Sequence, residues 1–210
     1  MKIIIATPSP YARKIRVILR EKNIDFEEII DVPWNISTLT SGINPLGKVP
    51  ILLCDAHEPL FDSKLIAQYL DDYKPNPLFY PKNSKENISA RLIETVADGI
   101  CDSIVLIFLE NSRKETLRSK NWIKRQEIKI FEGIKYLSNN LEEKKYFVGN
   151  HFNIADVSGF TCLEYMDLRF PNFKWRDQYH NLEEYWNIHK GRKSFEETKP
   201  IAQIIEPLEH

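Results

Sequence analysis

The chain has 210 residues, enough for one large or two small domains. Its 29 Lys and Arg nearly balance 30 Asp and Glu, for a net charge of −1, which argues against a protein built mainly to coat nucleic acid or an anionic membrane. With 42% apolar and 28% charged residues, the composition is that of a globular protein and too apolar for disorder. Glycine is scarce, at 7 residues, about half the average share, and Leu, Ile, Lys and Glu abound, so a mostly helical chain is expected. Cys54, Cys101 and Cys162 form no CxxC pair, and their odd number and wide spacing disfavour a disulfide framework or a zinc site. The first ten residues carry only a five-residue apolar patch, so no signal peptide is expected. No apolar run approaches the length of a membrane span. A reducing cytoplasm is the simplest home. Leu208-Glu209-His210 resemble the stub of an expression tag and are set aside.

Lys2 to Ala6 is a short β-branched run and reads as a strand, broken by Thr7-Pro8-Ser9-Pro10. Tyr11, Ile15, Ile18 and Lys22, with Leu19 beside them, recur at helical spacing through Asn23. Phe26 to Ile30 reads as a second strand, and Pro33 to Gly42 as irregular or weakly helical. The turn signal Asn44-Pro45-Leu46-Gly47 precedes a third strand, Val49 to Cys54. Glu58 to Phe61 reads as a fourth, and Asp62 to Tyr73 as a helix with Leu65, Ile66, Tyr69 and Leu70 on one face. The order β-α-β-α-β-β-α calls for one parallel pairing across a helix, then a hairpin and a closing helix. Lys74-Pro75-Asn76-Pro77 stops that helix and opens a linker with a third proline, Pro81. Helices are expected over Asn87 to Asn111, Lys120 to Leu141, Ile154 to Leu168 and Leu182 to Lys190. The chain thus divides into an α/β domain at 1–75, a linker at 76–86 and an all-helical domain at 87–207. The basic runs Arg13-Lys14-Ile15-Arg16 and Arg113-Lys114 read as solvent-facing. The aromatic and cationic stretch from Arg169 to Arg176 reads as a packed helix end rather than a nucleic-acid patch.

Three segments of the first domain could carry chemistry. Ser9-Pro10-Tyr11 starts a helix, where Ser caps and Pro suits the first position. The same helix end carries partial positive charge and free N–H groups, and a hydroxyl there can donate to a thiolate and lower the pKa of its thiol. In Gly47-Lys48-Val49-Pro50, a cis Val49–Pro50 bond would turn the Val49 N–H and C=O outward to pair with a peptide. A plain trans turn is the alternative. In Phe61-Asp62-Ser63, Asp and Ser are good caps, yet Ser63 could also hold a carboxylate and Asp62 an ammonium group. A ligand with a carboxylate, an amine and a peptide-like middle suits all three.

Together and in this order, these segments resemble the cytosolic glutathione transferases, over the whole chain. Asn44-Pro45-Leu46-Gly47-Lys48-Val49-Pro50 with Asp62-Ser63 matches the signature of that family's thioredoxin-like domain. Phe152-Asn153-Ile154-Ala155-Asp156 resembles its helix-capping box, with Asn in place of Ser or Thr and with Phe152 and Val157 as a hydrophobic staple. Ala97-Asp98-Gly99-Ile100-Cys101-Asp102 is similar to the bacterial YibF-like branch.

The resemblance implies an N-terminal thioredoxin-like domain followed by a helical C-terminal glutathione-transferase domain, with glutathione as co-substrate. Ser9 would contact the sulfur, with Thr7 as its rival. Val49, before a cis Pro50, would pair with the cysteinyl backbone. Asp62 and Ser63 would bind the γ-glutamyl end. Lys48 would meet the glycyl carboxylate, with Trp34 and Asn35 as weaker choices. No cysteine stands at the sulfur-binding position, which disfavours thiol-transferase chemistry. The implied reaction is attack of the thiolate on a small electrophile or a peroxide. Its pocket is expected between the domains, with Tyr11, Asp98, Cys101 and Asp102 as candidate walls. Asp98 and Asp102 stand four apart, so they share a helix face that could equally be solvated. Cys101 reads as packing rather than nucleophile. His151, His180 and His189 have no ligand spacing, so no metal is expected. The implied partners are glutathione, a small electrophile and a second copy in a homodimer, with no nucleic acid and no membrane. A non-catalytic regulatory or interaction protein, or a narrower isomerase or dehalogenase, remains as an alternative.

Overall fold

Residues 1–206 are described by the computed structural model; the proposed tag stub lies outside them. Two units form, each with its own core: Met1–Phe79 together with residues 192–206, and Tyr80–Gly191.

In the first unit, Lys2–Ile5 (β1) contributes three fully buried isoleucines to the centre of a four-stranded sheet. Its neighbours are Glu27–Ile30 (β2) on one side, and Ile51–Cys54 (β3) followed by His57–Leu60 (β4) on the other, giving the order β2-β1-β3-β4. The β1–β2 pair is parallel and spanned by a helix, Pro10–Glu21 (α1), as the element order requires. The β1–β3 and β3–β4 pairs are antiparallel. The weak segment after β2 yields only a short helix, Thr40–Ile43 (α2), and Ser63–Tyr73 (α3) closes the unit by packing on α1.

One expectation for α1 fails. Arg13, Lys14 and Arg16 are buried rather than solvent-facing, with Arg13 and Lys14 each only 1% exposed. The cause is the end of the chain. A short helix, Lys193–Glu196 (α9), packs on α1, so residues 192–206 belong with the first unit and not with the helical domain at 87–207. Arg13 donates to the Phe195 carbonyl (3.1 Å) and to Thr198 Oγ1 (3.3 Å), and Arg16 donates to Glu28 (2.9 Å). Arg192 closes the return by pairing with Glu21 of α1 at 2.6 Å. Buried guanidinium groups need such acceptors, so α1 and the terminal segment complete each other. Arg113 and Lys114 are exposed, as expected.

The second unit is helical. Ser84–Ser112 (α4) starts three residues earlier than its apolar pattern, because Asn83 caps it through the N–H groups of Lys85 and Glu86. Lys120–Leu141 (α5) and Ile154–Arg169 (α6) pack against α4, and Trp175–Gln178 (α7) and His180–His189 (α8) follow. An unbroken buried run from Ile154 to Leu163 makes α6 the centre of this unit. At Gly159 the Phe147 ring lies 2.5 Å from where a Cβ would stand, a close approach that only glycine permits. The aromatics after α6 pack as expected: Phe131, Phe170 and Phe173 cluster, while Arg176 pairs with Asp167 through both terminal nitrogens at 2.7 and 2.8 Å.

Candidate active site

The strand register brings the three singled-out segments to one end of the sheet. Ile4 faces Ile51 in the antiparallel β1–β3 pair, so the chain leaving β1 passes Val49-Pro50 entering β3. Leu52 faces Leu60, so the chain leaving β4 returns to the same end with Phe61-Asp62-Ser63. The N-termini of α1 and α3 therefore open on one side, and their N–H groups and partial positive charges converge there.

Ser9 is the N-cap of α1. Its Oγ accepts the Ala12 N–H at 3.2 Å, and Pro10 takes the first helical position. Among the described residues the Ser9 O–H meets no acceptor, so its proton is available to a ligand. Thr7 differs. Its hydroxyl donates to the Ile201 carbonyl at 2.7 Å, and its own carbonyl accepts the Ile201 N–H at 3.4 Å. Of the two rivals, only Ser9 retains a proton to give.

The loop before β3 is held from within. Buried Asn44 accepts the Leu46 N–H at 2.9 Å and donates to the Lys48 carbonyl at 2.8 Å, while Gly47 takes φ +60° after the proline turn. The Val49–Pro50 bond is cis. Neither the N–H nor the C=O of Val49 finds a partner among the described residues, which leaves one donor and one acceptor for an extended peptide. Lys48 is exposed beside it.

Asp62 caps α3 by accepting the Lys64 N–H at 2.7 Å through one oxygen. Ser63, 3% exposed, follows at the first helical position, and its hydroxyl and N–H have no partner among the described residues. A hydroxyl and an N–H at a helix N-terminus suit a carboxylate, and the second Asp62 oxygen suits an ammonium group. The weaker choice Asn35 is engaged elsewhere, because its side-chain oxygen accepts the Glu206 N–H at 3.0 Å.

On α4, Asp98 is buried and Asp102 exposed, so the two do not form one solvated pair. Cys101 is buried at 3% exposure and lies beside Tyr165 of α6. Burial pushes the Tyr165 phenol well above its ordinary value and the nearby Cys101 adds to the shift, while Arg169 opposes both. Tyr11 is half-buried at the start of α1. Among the described residues no group of three or more His, Cys, Asp or Glu is placed to hold a metal ion, and no helix is long and apolar enough to cross a membrane.

Residues 8–73 match the family model for the glutathione S-transferase N-terminal domain, and residues 120–185 match that for the C-terminal domain. The chain is 31% identical over 201 residues to the uncharacterized GST-like protein YibF of Escherichia coli, covering 95% of this chain and 98% of that one. The chain belongs to the glutathione S-transferase family. Its fold, a thioredoxin-like sheet domain followed by a helical domain, is that of a glutathione S-transferase from Methylobacterium radiotolerans in complex with glutathione sulfonate. That structure has a TM-score of 0.95 and 38% identity, with 98% of this chain and 97% of that one covered. A glutathione S-transferase from Methylobacillus flagellatus with glutathione bound is also similar, at a TM-score of 0.91 and 34% identity over 95% of this chain and 99% of that one.

Sequence reasoning missed two things in this member of the glutathione S-transferase family. One is the bond that occupies Thr7, whose partner lies 194 residues away and leaves no local trace. The other is the burial of the α1 cations, for which a signal existed. On a helical wheel Lys14 falls between Val17 and Ile18, both fully buried, so it could not face solvent while they faced the core.

Proposed function

We propose that the chain is a glutathione-dependent transferase that activates the glutathione thiolate for attack on a small electrophile or a peroxide. The observation that carries this reading is the Ser9 hydroxyl, fixed by the Ala12 N–H and with its proton unspent, at the positive end of α1. Such a donor favours thiolate over thiol, which is the activation the reaction needs. Val49 pairs with the cysteinyl backbone through its N–H and C=O. Ser63 receives the γ-glutamyl carboxylate, Asp62 the α-ammonium group, and Lys48 the glycyl carboxylate. Tyr11, half-buried at the start of α1, is assigned to the electrophile. The relatives crystallised with glutathione and glutathione sulfonate support this ligand.

The molecule acts as a homodimer in the cytoplasm, without metal, nucleic acid or membrane partner. The dimer is supported by one stripe of α4, where exposed Ile88, Leu92 and Leu106 recur with Gly99, which has open space around it.

Calorimetry with glutathione, followed on the same sample by turnover of a chloronitrobenzene, tests the reading. Binding with turnover is expected. Binding without turnover favours the non-catalytic alternative or a narrower substrate, and no binding removes the glutathione site.

A further inference from the structure

Among the long helices of the second unit, α5 carries its charge against its own dipole. α4 and α6 have Glu86 and Asp156 in their first turns, where the helix dipole is positive, and α6 has Arg169 in its last. α5 has no acidic residue in its first turn and no basic residue in its last, and it starts on Lys120. From Arg118 to Lys135 there are six cations, Arg118, Lys120, Lys124, Arg125, Lys129 and Lys135, against Glu127 and Glu132. This segment has a net charge of +4 in a chain of net charge −1, so the remainder carries −5. Arg118 donates to the Arg113 carbonyl and Lys129 to Gln126, and none of the six pairs with a carboxylate among the described residues. Lys120 with Lys124, and Arg125 with Lys129, stand four apart, a spacing at which like charges repel. An arrangement that weakens its own helix and gains nothing from its own chain calls for a use outside it.

The inner side of α5, with Ile130, Ile134 and Leu137, is fully buried. Opposite it, Ile128 is 53% exposed. It stands four residues after Lys124, three after Arg125 and seven before Lys135, so these side chains share one outward face, with Glu132 as its carboxylate. An exposed aliphatic side chain ringed by cations suits a surface that is acidic and apolar at once. We propose that the outward face of α5 docks an acidic amphipathic helix of a partner protein. Carboxylates of the partner meet Lys124, Arg125 and Lys135, and an apolar side chain covers Ile128. Lys120 to Lys135 extends about 22 Å along the axis, about four turns, which sets the length of the partner helix. The phosphates of a nucleic acid would use the cations alone and leave Ile128 uncovered. Insertion into an anionic membrane needs a continuous apolar face. Here Ile128 stands among charges, exposed Trp122 lies about a third of a turn away, and Phe131 is taken up by Phe170 and Phe173. The docking face is independent of glutathione and of the transferase reading.

The probe is a fluorescein-labelled helical peptide of about 20 residues, made of Glu, Ala and Leu with its leucines on one side. Fluorescence anisotropy with the full chain is expected to show saturable binding that weakens as salt is raised. Lys124→Glu combined with Arg125→Glu is expected to weaken it about tenfold or more, and Ile128→Ser about threefold or more. All three positions are exposed, and the charge reversal relieves repulsion along α5, so wild-type melting is expected. If the double variant melts early, Lys135→Glu is held to the same criterion. No binding by wild type, or equal affinity of the double variant and wild type, overturns the docking face. Equal affinity of wild type for a peptide with serine in place of leucine overturns it as well, because charge alone is then being read. Preference for phosphatidylglycerol vesicles or for duplex DNA over the peptide also overturns it and gives the face to a membrane or to nucleic acid.

Discussion

Helix N-termini are used in two opposite ways in this molecule. At α6 the cap is reciprocal and closes on itself. Asn153 accepts the Ala155 N–H (2.9 Å), and Asp156 returns the contact to the Asn153 N–H (3.0 Å). Asp156 also accepts the Phe147 N–H (2.9 Å) and the Tyr185 hydroxyl (3.3 Å). At α1 and α3 the caps stop short. Ser9 and Asp62 each take one N–H, and the Ser9 O–H, the Ser63 hydroxyl and the Ser63 N–H stay unpaired among the described residues. Both kinds of cap use residues favoured at that position, so composition does not separate them. What separates them is closure: a reciprocal, buried cap is structural, and an open one is available to a ligand.

The contrast can be broken most severely at its closed end. Asp156→Ala strands two buried backbone N–H groups, those of Phe147 and Asn153, while the Tyr185 hydroxyl keeps the Asp156 carbonyl at 3.0 Å, and the change is expected to cost about 3 kcal/mol of stability. Urea unfolding measures this, and wild-type stability in that variant would show that the capping network does not hold α6. At the open end, Ser63→Ala is expected to weaken glutathione binding about tenfold by calorimetry with little change in melting temperature. A variant that melts early with unchanged affinity reverses the distinction drawn here. Ser9→Ala is expected to lower turnover by about one to two orders of magnitude, to leave glutathione affinity near wild type, and to cost about 1 kcal/mol as a lost cap. Thr7→Ala is expected to leave turnover intact. If the two results exchange places, Thr7 holds the sulfur.

A smaller effect is expected at Asp31, which ties down the segment after β2. It accepts from both the hydroxyl and the N–H of Thr40, from the Thr38 hydroxyl and from the Val32 N–H. Burial pushes its carboxyl up, but these bonds outweigh burial and hold its pKa below the usual 3.8. The folded chain therefore holds this proton more weakly than the unfolded one. The stabilisation is complete well above pH 3.8 and is lost as pH falls through the lower folded value. Asp31→Asn is expected to cost about 1–2 kcal/mol at neutral pH, with the deficit shrinking at about pH 3. Urea denaturation at the two pH values checks the sign.

Much of this was legible before any coordinates. The strand–helix order of the first 73 residues, the hairpin and the capping box at Asn153 are local patterns, and each appears where its spacing places it. The cis bond at Val49–Pro50 was implied by family resemblance rather than by spacing. The short helices α7 and α9 have too few residues for periodicity to register. The basic run in α1 failed as a surface prediction because its acceptors lie about 180 residues downstream.

Local chemistry by itself determined which residues start helices, which strands alternate, and that Ser9, Val49, Asp62 and Ser63 are the residues to examine, because capping, turn and strand signals act over a few positions. Tertiary structure alone decided which of those polar groups remain unpaired. Antiparallel register brought three distant turns to one end of the sheet. The returning terminal segment occupied the Thr7 hydroxyl and left that of Ser9 unengaged, and it turned Arg13 and Arg16 from surface charges into buried donors. A hydrogen bond satisfied at long range leaves no mark near either partner in the sequence, so the difference between a closed cap and an open one emerges only when the chain is folded.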